Sequence, residues 1–362
     1  MAALLADVVV AGGGPAGLSV AIRAAARGFR TVVLERAAGV PDKACGEGLM
    51  PAGLRELEAL GALALIDARD RAPFRGIRYA QEDGSAVEGR FSGGDGMGIR
   101  RTALSAALRS RAVAAGAELR RGAVRAAACA GDAIVIETDQ GELRARLLVA
   151  ADGLHSPLRR AAGLEGPQGP PAARRFGLRR HFALAPWTDL VEVYWADGVE
   201  AYVTPIAQDV VNVAFLWSGP GDTFDGHLRR FPLLEDRLRG ATALSEARGA
   251  GPLLQRVRTR GGERLALVGD AAGYVDAITG QGLSLAFASA ALLVQALPQD
   301  LAQDLAPALR RYHRSLRGRW LRYAIPAQLL LALARRPALR RRALRFAARF
   351  PPLFRALLGT VG

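Results

Sequence analysis

Gly12, Gly14 and Gly17 constrain this fold more tightly than any other residues, because they stand at G-x-G-x-x-G spacing directly after the apolar run Asp7 to Ala11. Within the stretch Leu4 to Arg36 that run, rich in β-branched residues, reads as a strand buried on both faces. The glycines let the strand turn sharply into a helix and admit a pyrophosphate to the backbone. Pro15 opens the helix where a missing N–H costs least, Ala16 and Gly17 complete its first turn, and Gly28 stops it after Arg27. Thr31 to Leu34 supplies a second strand, and Glu35 follows 18 residues beyond Gly17. A carboxylate there can accept the hydroxyl hydrogens of an adenosine ribose and repels a 2′-phosphate. Strand, turn, helix, strand and acid in this order read as a dinucleotide site. Each anionic contact at a helix N-terminus is worth only about 0.3–2 kcal/mol. Further contacts must therefore come from elsewhere in the chain.

Two more stretches have the chemistry to supply them. One is LLVAADGLHSPLRR, an apolar strand ending in Asp152-Gly153 and continuing to Ser156 and Arg159 as D-G-x-x-S-x-x-R. The other is RLALVGDAAGYVDAITGQGLSLAFASA. Here the strand Leu265 to Val268 ends at Gly269-Asp270, and Gly280 and Gly282 open an alanine-rich helix running to about Leu297. Asp270 sits where a carboxylate can hold a ribityl or ribose hydroxyl, and the free N–H groups from Gly280 through Gln281, Gly282 and Leu283 can stabilise negative charge on the same ligand.

Between these markers the texture changes several times. After Arg36 comes a loop centred on Cys45, Gly46, Glu47 and Gly48, whose glycines let the backbone approach something flat. Cys45 reads as lining the cofactor pocket, against the plainer role of a small residue filling a gap. Leu54 to Ala64 reads as a helix, and 77–96 as short strands and turns. A helix then spans Thr102 to Ala115, capped by Thr102 and closed by Gly116. Arg101 and Leu104 form an R-x-x-L at its start, which places a guanidinium where it can meet a phosphate or ribose. Ala123 to Ala128, Ala133 to Thr138 and Glu142 to Leu148 read as a β-meander. From Gly177 to Trp217 four alternating strands suggest a sheet with one face covered, with His181, Tyr194 and Tyr202 among its polar and aromatic residues.

Composition narrows the class. A chain of 362 residues, half of them apolar, can bury a substantial core. Cys45 and Cys129 give no disulfide framework, no signal peptide is visible, and the longest apolar run near the end, Ala324 to Ala334, is too short to span a bilayer. A cytoplasmic protein is expected, or one peripheral to the inner membrane face. Of the net charge of +15, the segment from Gln295 to Gly362 carries +12, with 14 Arg against two Asp. No binding module or stacking platform accompanies those arginines, which argues against nucleic acid. The tail reads as helices broken at Pro326, Pro337 and Pro351-Pro352. Arg335 to Arg349 interleaves basic residues with Leu, Phe and Ala, as a helix packed over the body or one lying on an anionic membrane would.

The three glycine-and-carboxylate markers, in order over roughly residues 5 to 300, resemble the FAD-dependent oxidoreductases of the p-hydroxybenzoate hydroxylase fold, a group that includes geranylgeranyl reductases. The resemblance implies an α/β protein: a Rossmann-like FAD-binding domain from 1–75, 98–165 and 255–300, an inserted antiparallel substrate domain from 76–97 and 166–254, and a helical region from 301–362. It implies that Gly12, Gly14, Pro15, Ala16 and Gly17 hold the FAD pyrophosphate and Glu35, with Arg36 beside it, the adenosine ribose. Arg101 contacts FAD, Val124 meets the adenine through its backbone, and Asp152 belongs to a segment linked with FAD and with NAD(P)H. Gly269 and Asp270 hold the ribityl or ribose, Gln281, Gly282 and Leu283 lie under the isoalloxazine, and Cys45 and Gly46 line the pocket. No metal is implied.

The leading expectation is an NAD(P)H-dependent monooxygenase acting on a hydrophobic, aromatic or natural-product-like metabolite, because D-G-x-x-S-x-x-R is complete. The alternatives are a reductase saturating isoprenoid double bonds, to which the cysteine-glycine loop is closer, and a flavin-holding scaffold without redox turnover. Cys45, Glu47, His181, Tyr194 and Tyr202 are the catalytic candidates, with no base assigned among them.

Overall fold

The structure, a computed structural model, describes residues 6–170 and 174–350. Leu4, at the start of the first stretch, and the expected break at Pro351-Pro352 lie outside the described residues. The chain opens with strand β1 (Ala6–Ala11), helix α1 (Pro15–Ala26) and strand β2 (Thr31–Glu35). A short strand β3 (Gly48–Leu49) and helix α2 (Pro51–Ala59) follow. Helix α2 starts three residues before the expected Leu54, at a proline suited to the first turn, and stops short of Ala64 because Gly61 takes a positive φ of 68°.

Next come β4 (Arg71–Phe74), β5 (Gly76–Gln81), β6 (Ala86–Arg90) and β7 (Gly96–Ile99), then helix α3 (Arg101–Ala114). After it lie β8 (Glu118–Arg121), β9 (Val124–Ala130), β10 (Ala133–Thr138), β11 (Gly141–Ala150) and the short helix α4 (Pro157–Ala161). Strands β8, β2, β1 and β11 are parallel and adjacent in that order, and β18 (Leu265–Leu267) lies parallel to the end of β11. The expected meander thus ends in a central strand: β11 pairs antiparallel with β10 along its first half and parallel with β1 from Ala145 to Ala150. Val8, Val9, Val10, Leu147, Leu148 and Val149 are fully buried, each worth about 1.5–3 kcal/mol relative to exposure. Helix α1, packed against α3 and α7 (Gly282–Ala296), covers one face of these strands.

A second sheet holds β12 (Arg175–Ala183), β13 (Val191–Ala196), β14 (Val199–Pro205) and β15 (Val210–Ser218). Its order is β16 (Thr242–Ala243), β12, β15, β14, β13, β5, β6, with β17 (Arg248–Ala250) also on β12. Strands β5 and β6 therefore join the later strands rather than the parallel sheet. Helices α5 (Phe224–Leu228) and α6 (Pro232–Leu238) cover the face carrying Phe215 and Trp217. Strands β3, β7 and β4 make a third, small sheet.

The tail forms α8 (Ala306–Ala334) and α9 (Pro337–Arg349). Contrary to expectation, α8 runs through Pro326 unbroken. Proline forfeits one backbone hydrogen bond, and Tyr323, Ala324 and Ala327, buried around it, hold the two halves in line. The break does fall before Pro337. Among the described residues no helix is long and apolar enough to cross a membrane.

Candidate active site

The parallel strands deliver four turns to one edge, the carboxyl edge, where open α/β sheets bind ligands. After β1, Gly12 has φ +111°, and a Cβ added there would lie 2.4 Å from Ala151 O. A Cβ on Gly17 would lie 2.0 Å from Gly12 O, whereas one on Gly14 would meet nothing within 4 Å. Two glycines thus close the turn and the third leaves room in front of it. At the end of β2, Glu35 accepts from Gly13 N at 2.8 Å and Ala37 N at 2.9 Å. Gly122 N donates to Glu35 O at 3.0 Å, which brings the start of β9 and Val124 alongside. Arg36 is exposed at the rim.

After β18, Gly269 has φ +59°, and a Cβ on it would lie 2.7 Å from Ala16 Cβ, so the third marker touches the first. Asp270 keeps part of its surface open yet sits deep among protein atoms, and desolvation pushes its carboxyl up to about 6 against the pull of Arg101, Lys43 and Arg159. Neither α1 nor α7 has a side-chain cap, so the N–H groups of their first turns await a partner. Gln281, Gly282 and Leu283 lie at the start of α7, with Thr279 Oγ1 and Ser284 Oγ buried nearby without a hydrogen-bond partner. Open space at a helix N-terminus, a carboxylate beside it and orphaned polar atoms near a second N-terminus fit a doubly phosphorylated dinucleotide.

The D-G-x-x-S-x-x-R segment ties the corner together. Asp152 accepts from Leu158 N at 3.1 Å, and Ser156 Oγ accepts from Arg159 N at 3.0 Å. Arg159, with no exposed surface, donates to Leu154 O, Ala271 O and Gln255 Oε1 at 3.0, 3.2 and 2.7 Å. Its guanidinium braces the second marker against the third and is not presented to a nucleotide outside.

The opposite wall is built from side chains. Glu47 takes φ +60°, and among the described residues no other non-glycine has a positive φ, a conformation that costs of order 1–3 kcal/mol. Its contacts hold it there. Glu47 N donates to Cys45 Sγ at 3.3 Å and Glu47 O accepts from Ile99 N at 2.9 Å. Glu47 Oε1 accepts from Arg101 N at 2.7 Å, so this carboxylate, and not the expected Thr102, caps α3. Glu47 Oε2 is 2.6 Å from His181 Nε2, and both side chains are buried. Arg179 Nη1 lies 3.3 Å from His181 Nδ1. A guanidinium can only donate, so Nδ1 accepts and Nε2 carries the hydrogen toward Glu47. Arg179 in turn pairs with Asp42 and donates to Ser245 Oγ at 3.2 Å, while Asn212 Nδ2 donates to Cys45 O at 2.9 Å.

Arg101 and Cys45 sit beside this pair. Burial lowers the Arg101 guanidinium, opposed by Cys45, Glu47 and Asp270; its Nη1 bonds Ser105 Oγ. Burial raises the Cys45 thiol, outweighing Arg101, so the sulfur is a neutral S–H at physiological pH. Gly46, next to Cys45 in the chain, is exposed.

Strand register sorts the remaining candidates. His181 pairs with Asn212, Asn212 with Thr204, Ala214 with Tyr202, and Tyr202 with Val193. Directly paired residues share a face, so His181, Asn212 and Tyr202 line one side and Tyr194 the other. Tyr194 donates to Glu192 Oε2 at 2.5 Å and packs with the Phe215 and Trp217 cluster, away from the cleft. Tyr202 packs toward Val275, Ile278 and Tyr323, with its hydroxyl buried and without a hydrogen-bond partner. On the same face Arg175 bonds Glu200 at 3.2 Å and Asp276 at 2.9 Å, joining the second sheet to the segment after Asp270. Burial opposes the Arg175 charge, but the two carboxylates outweigh it. Sequence reading missed Asp42, Arg175, Arg179 and Asn212. The available signal was the two-residue period that puts Arg175, Arg179 and His181 on one side of β12. The surface cleft formed by Arg27–Arg30 and Gln299–Ala302 lies at the amino edge of the parallel strands, away from all of this.

The chain matches the FAD binding domain family over residues 5–206. It is 32% identical over 328 residues to digeranylgeranylglycerophospholipid reductase 1 of Methanopyrus kandleri, covering 84% of each chain. It is 31% identical over 330 residues to menaquinone reductase of Mycobacterium tuberculosis, covering 84% of this chain and 79% of that one. The solved structure of the flavin-dependent brominase Bmp2 shares the fold with a TM-score of 0.86 at 18% identity, covering 98% of this chain and 93% of that one.

Proposed function

This chain belongs to the FAD binding domain family and is an FAD-dependent oxidoreductase, and from that premise we propose that it is a reductase saturating a carbon–carbon double bond in a long hydrophobic, isoprenoid-like substrate, with NAD(P)H as the source of reducing equivalents. The observation that carries this reading is the buried Glu47–His181 pair beside Cys45. Saturating a double bond adds a hydride to one carbon and a proton to the other. FAD, which Gly12, Gly14, Glu35 and Asp270 would hold, supplies hydride chemistry when bound. The protein must supply the proton: a neutral imidazole bonded to a carboxylate has none to give, so the His181–Glu47 pair takes one up from solvent and passes it to the second carbon. Arg179 fixes the imidazole tautomer by donating to Nδ1, and Asp42 fixes Arg179. Relatives named for reducing a digeranylgeranylglycerophospholipid and menaquinone align with most of the chain, which favours the same class of substrate.

The expectation of oxygen insertion rested on the complete D-G-x-x-S-x-x-R segment. Arg159 gives both terminal nitrogens to backbone carbonyls and Gln255, so this arginine is accounted for by folding and does not by itself select hydroxylation. The test is to supply NAD(P)H and a polyprenyl lipid to the FAD-loaded protein without oxygen. A product heavier by two hydrogens is expected. Product formed only in air and heavier by one oxygen would establish a monooxygenase, and a flavin that no donor reduces would leave a scaffold. Glu47→Gln keeps an acceptor for Arg101 N–H and should lower turnover about 10²–10⁴-fold with the bound flavin spectrum unchanged.

A further inference from the structure

We propose that the outward surface of α8 and α9 docks on an anionic lipid bilayer. The inner side of α9 is fixed to the second sheet. Arg340, 1% exposed, donates to Gln81 Oε1 at 3.1 Å and reaches Asp197, and Leu344 packs with Tyr79 and Trp195. With that side committed, Leu339, Phe346 and Phe350 are left on the outside, Phe346 at 54% exposure. At about 100° per residue those three fall within roughly 40° of one another, a stripe rather than a scatter. Helix α8 repeats the arrangement with Leu321, Ile325 and Leu329 at four-residue spacing, Leu329 at 66% exposure.

Charge identifies the occupant. From Leu305 to Gly362 the chain has 14 arginines and no acidic residue. Among the described residues, Arg340 alone of the tail arginines forms an ion pair. Arg342, Arg345 and Arg349 instead lie exposed along one side of the stripe on α9, where an apolar strip can enter the acyl boundary while guanidinium groups stay at headgroup level. An acidic protein surface would satisfy the charge but leave six exposed Leu, Ile and Phe side chains unmatched. A second copy would bring like charge against like charge.

The test uses the full-length, FAD-loaded protein in cosedimentation with vesicles of phosphatidylglycerol and of phosphatidylcholine. Binding to the anionic vesicles is expected, with little to the neutral ones and a steep fall with added salt. Leu339→Ser, Phe346→Ser and Phe350→Ser together should weaken it about ten-fold or more, with flavin absorbance and melting temperature unchanged. Arg342→Glu with Arg349→Glu should also abolish the preference for anionic lipid. Equal binding to both vesicles, no binding to either, or serine variants that bind like the parent would overturn the proposal. So would a lipid-free dimer that those variants dissociate, which would give the stripe to a second copy.

Discussion

The two walls of the cleft are built from different materials. On the parallel sheet the wall is made by backbone: Gly12 and Gly17 because nothing larger fits, Gly14 because the space before it is open, and the start of α1, which no side chain caps. On the second sheet they are made by buried charge: Arg175 with Glu200 and Asp276, Arg179 with Asp42, and His181 with Glu47. A backbone wall is indifferent to pH and salt and intolerant of a single methyl group. A wall of buried ions tolerates shape changes and fails when one partner is removed, because its desolvated neighbours are left unpaired.

Removing Arg175 tests that contrast most severely. Arg175→Met strands Glu200 and Asp276 and should cost about 3–5 kcal/mol of stability in denaturant unfolding, while folded molecules keep their FAD affinity. A loss below about 1 kcal/mol, the scale of a surface pair, would break the comparison. Next is Gly17→Ala, whose Cβ would meet Gly12 O at 2.0 Å and push α1 off the strand. It should weaken FAD about 100-fold by titration of the apoprotein, near 3 kcal/mol.

Asp270 sharpens the comparison because it is a charge placed on the backbone wall. Its folded-state pKa of about 6 lies above the ordinary carboxylate value, so the folded apoprotein binds the extra proton and stability falls as pH rises from about 4 to 6. Asp270→Asn should therefore make the apoprotein more stable than the parent at pH 7, by at most about 3 kcal/mol, and equal to it at pH 4. FAD retention should fall in the same variant. Smallest is Gly14→Ala. The new Cβ meets nothing in the protein, so apoprotein stability should not fall, yet FAD should bind about ten-fold more weakly because the methyl occupies the approach to the phosphates. Unchanged FAD binding would show that the open space serves something else.

This division also explains what the sequence disclosed. A backbone that must turn at φ +111° or let another chain pass within van der Waals distance selects glycine, so Gly12, Gly17 and Gly269 could be read in place. Buried ion pairs leave no such local mark. His181 and Glu47 are 134 residues apart, and both were candidates without anything to join them until register and burial did so. Tyr194 and Tyr202 looked equivalent in composition, but strand parity puts them on opposite faces. Thr102 looked like a cap by residue type, whereas the actual cap came from Glu47, 54 residues earlier than Arg101. Pro326 looked like a break because local propensity was set against packing, and packing prevailed.

The segment from Asp42 to Gly48 leaves the nucleotide-holding half of the chain and is fastened to β12 and β15 in the other half by Arg179, His181 and Asn212. Any motion that parts the two halves must therefore undo the hydrogen bond between imidazole and carboxylate. On the proposed reading the arrangement would work as an interlock: while the halves gape, the acid is disassembled and electrons on the cofactor have no proton to travel with.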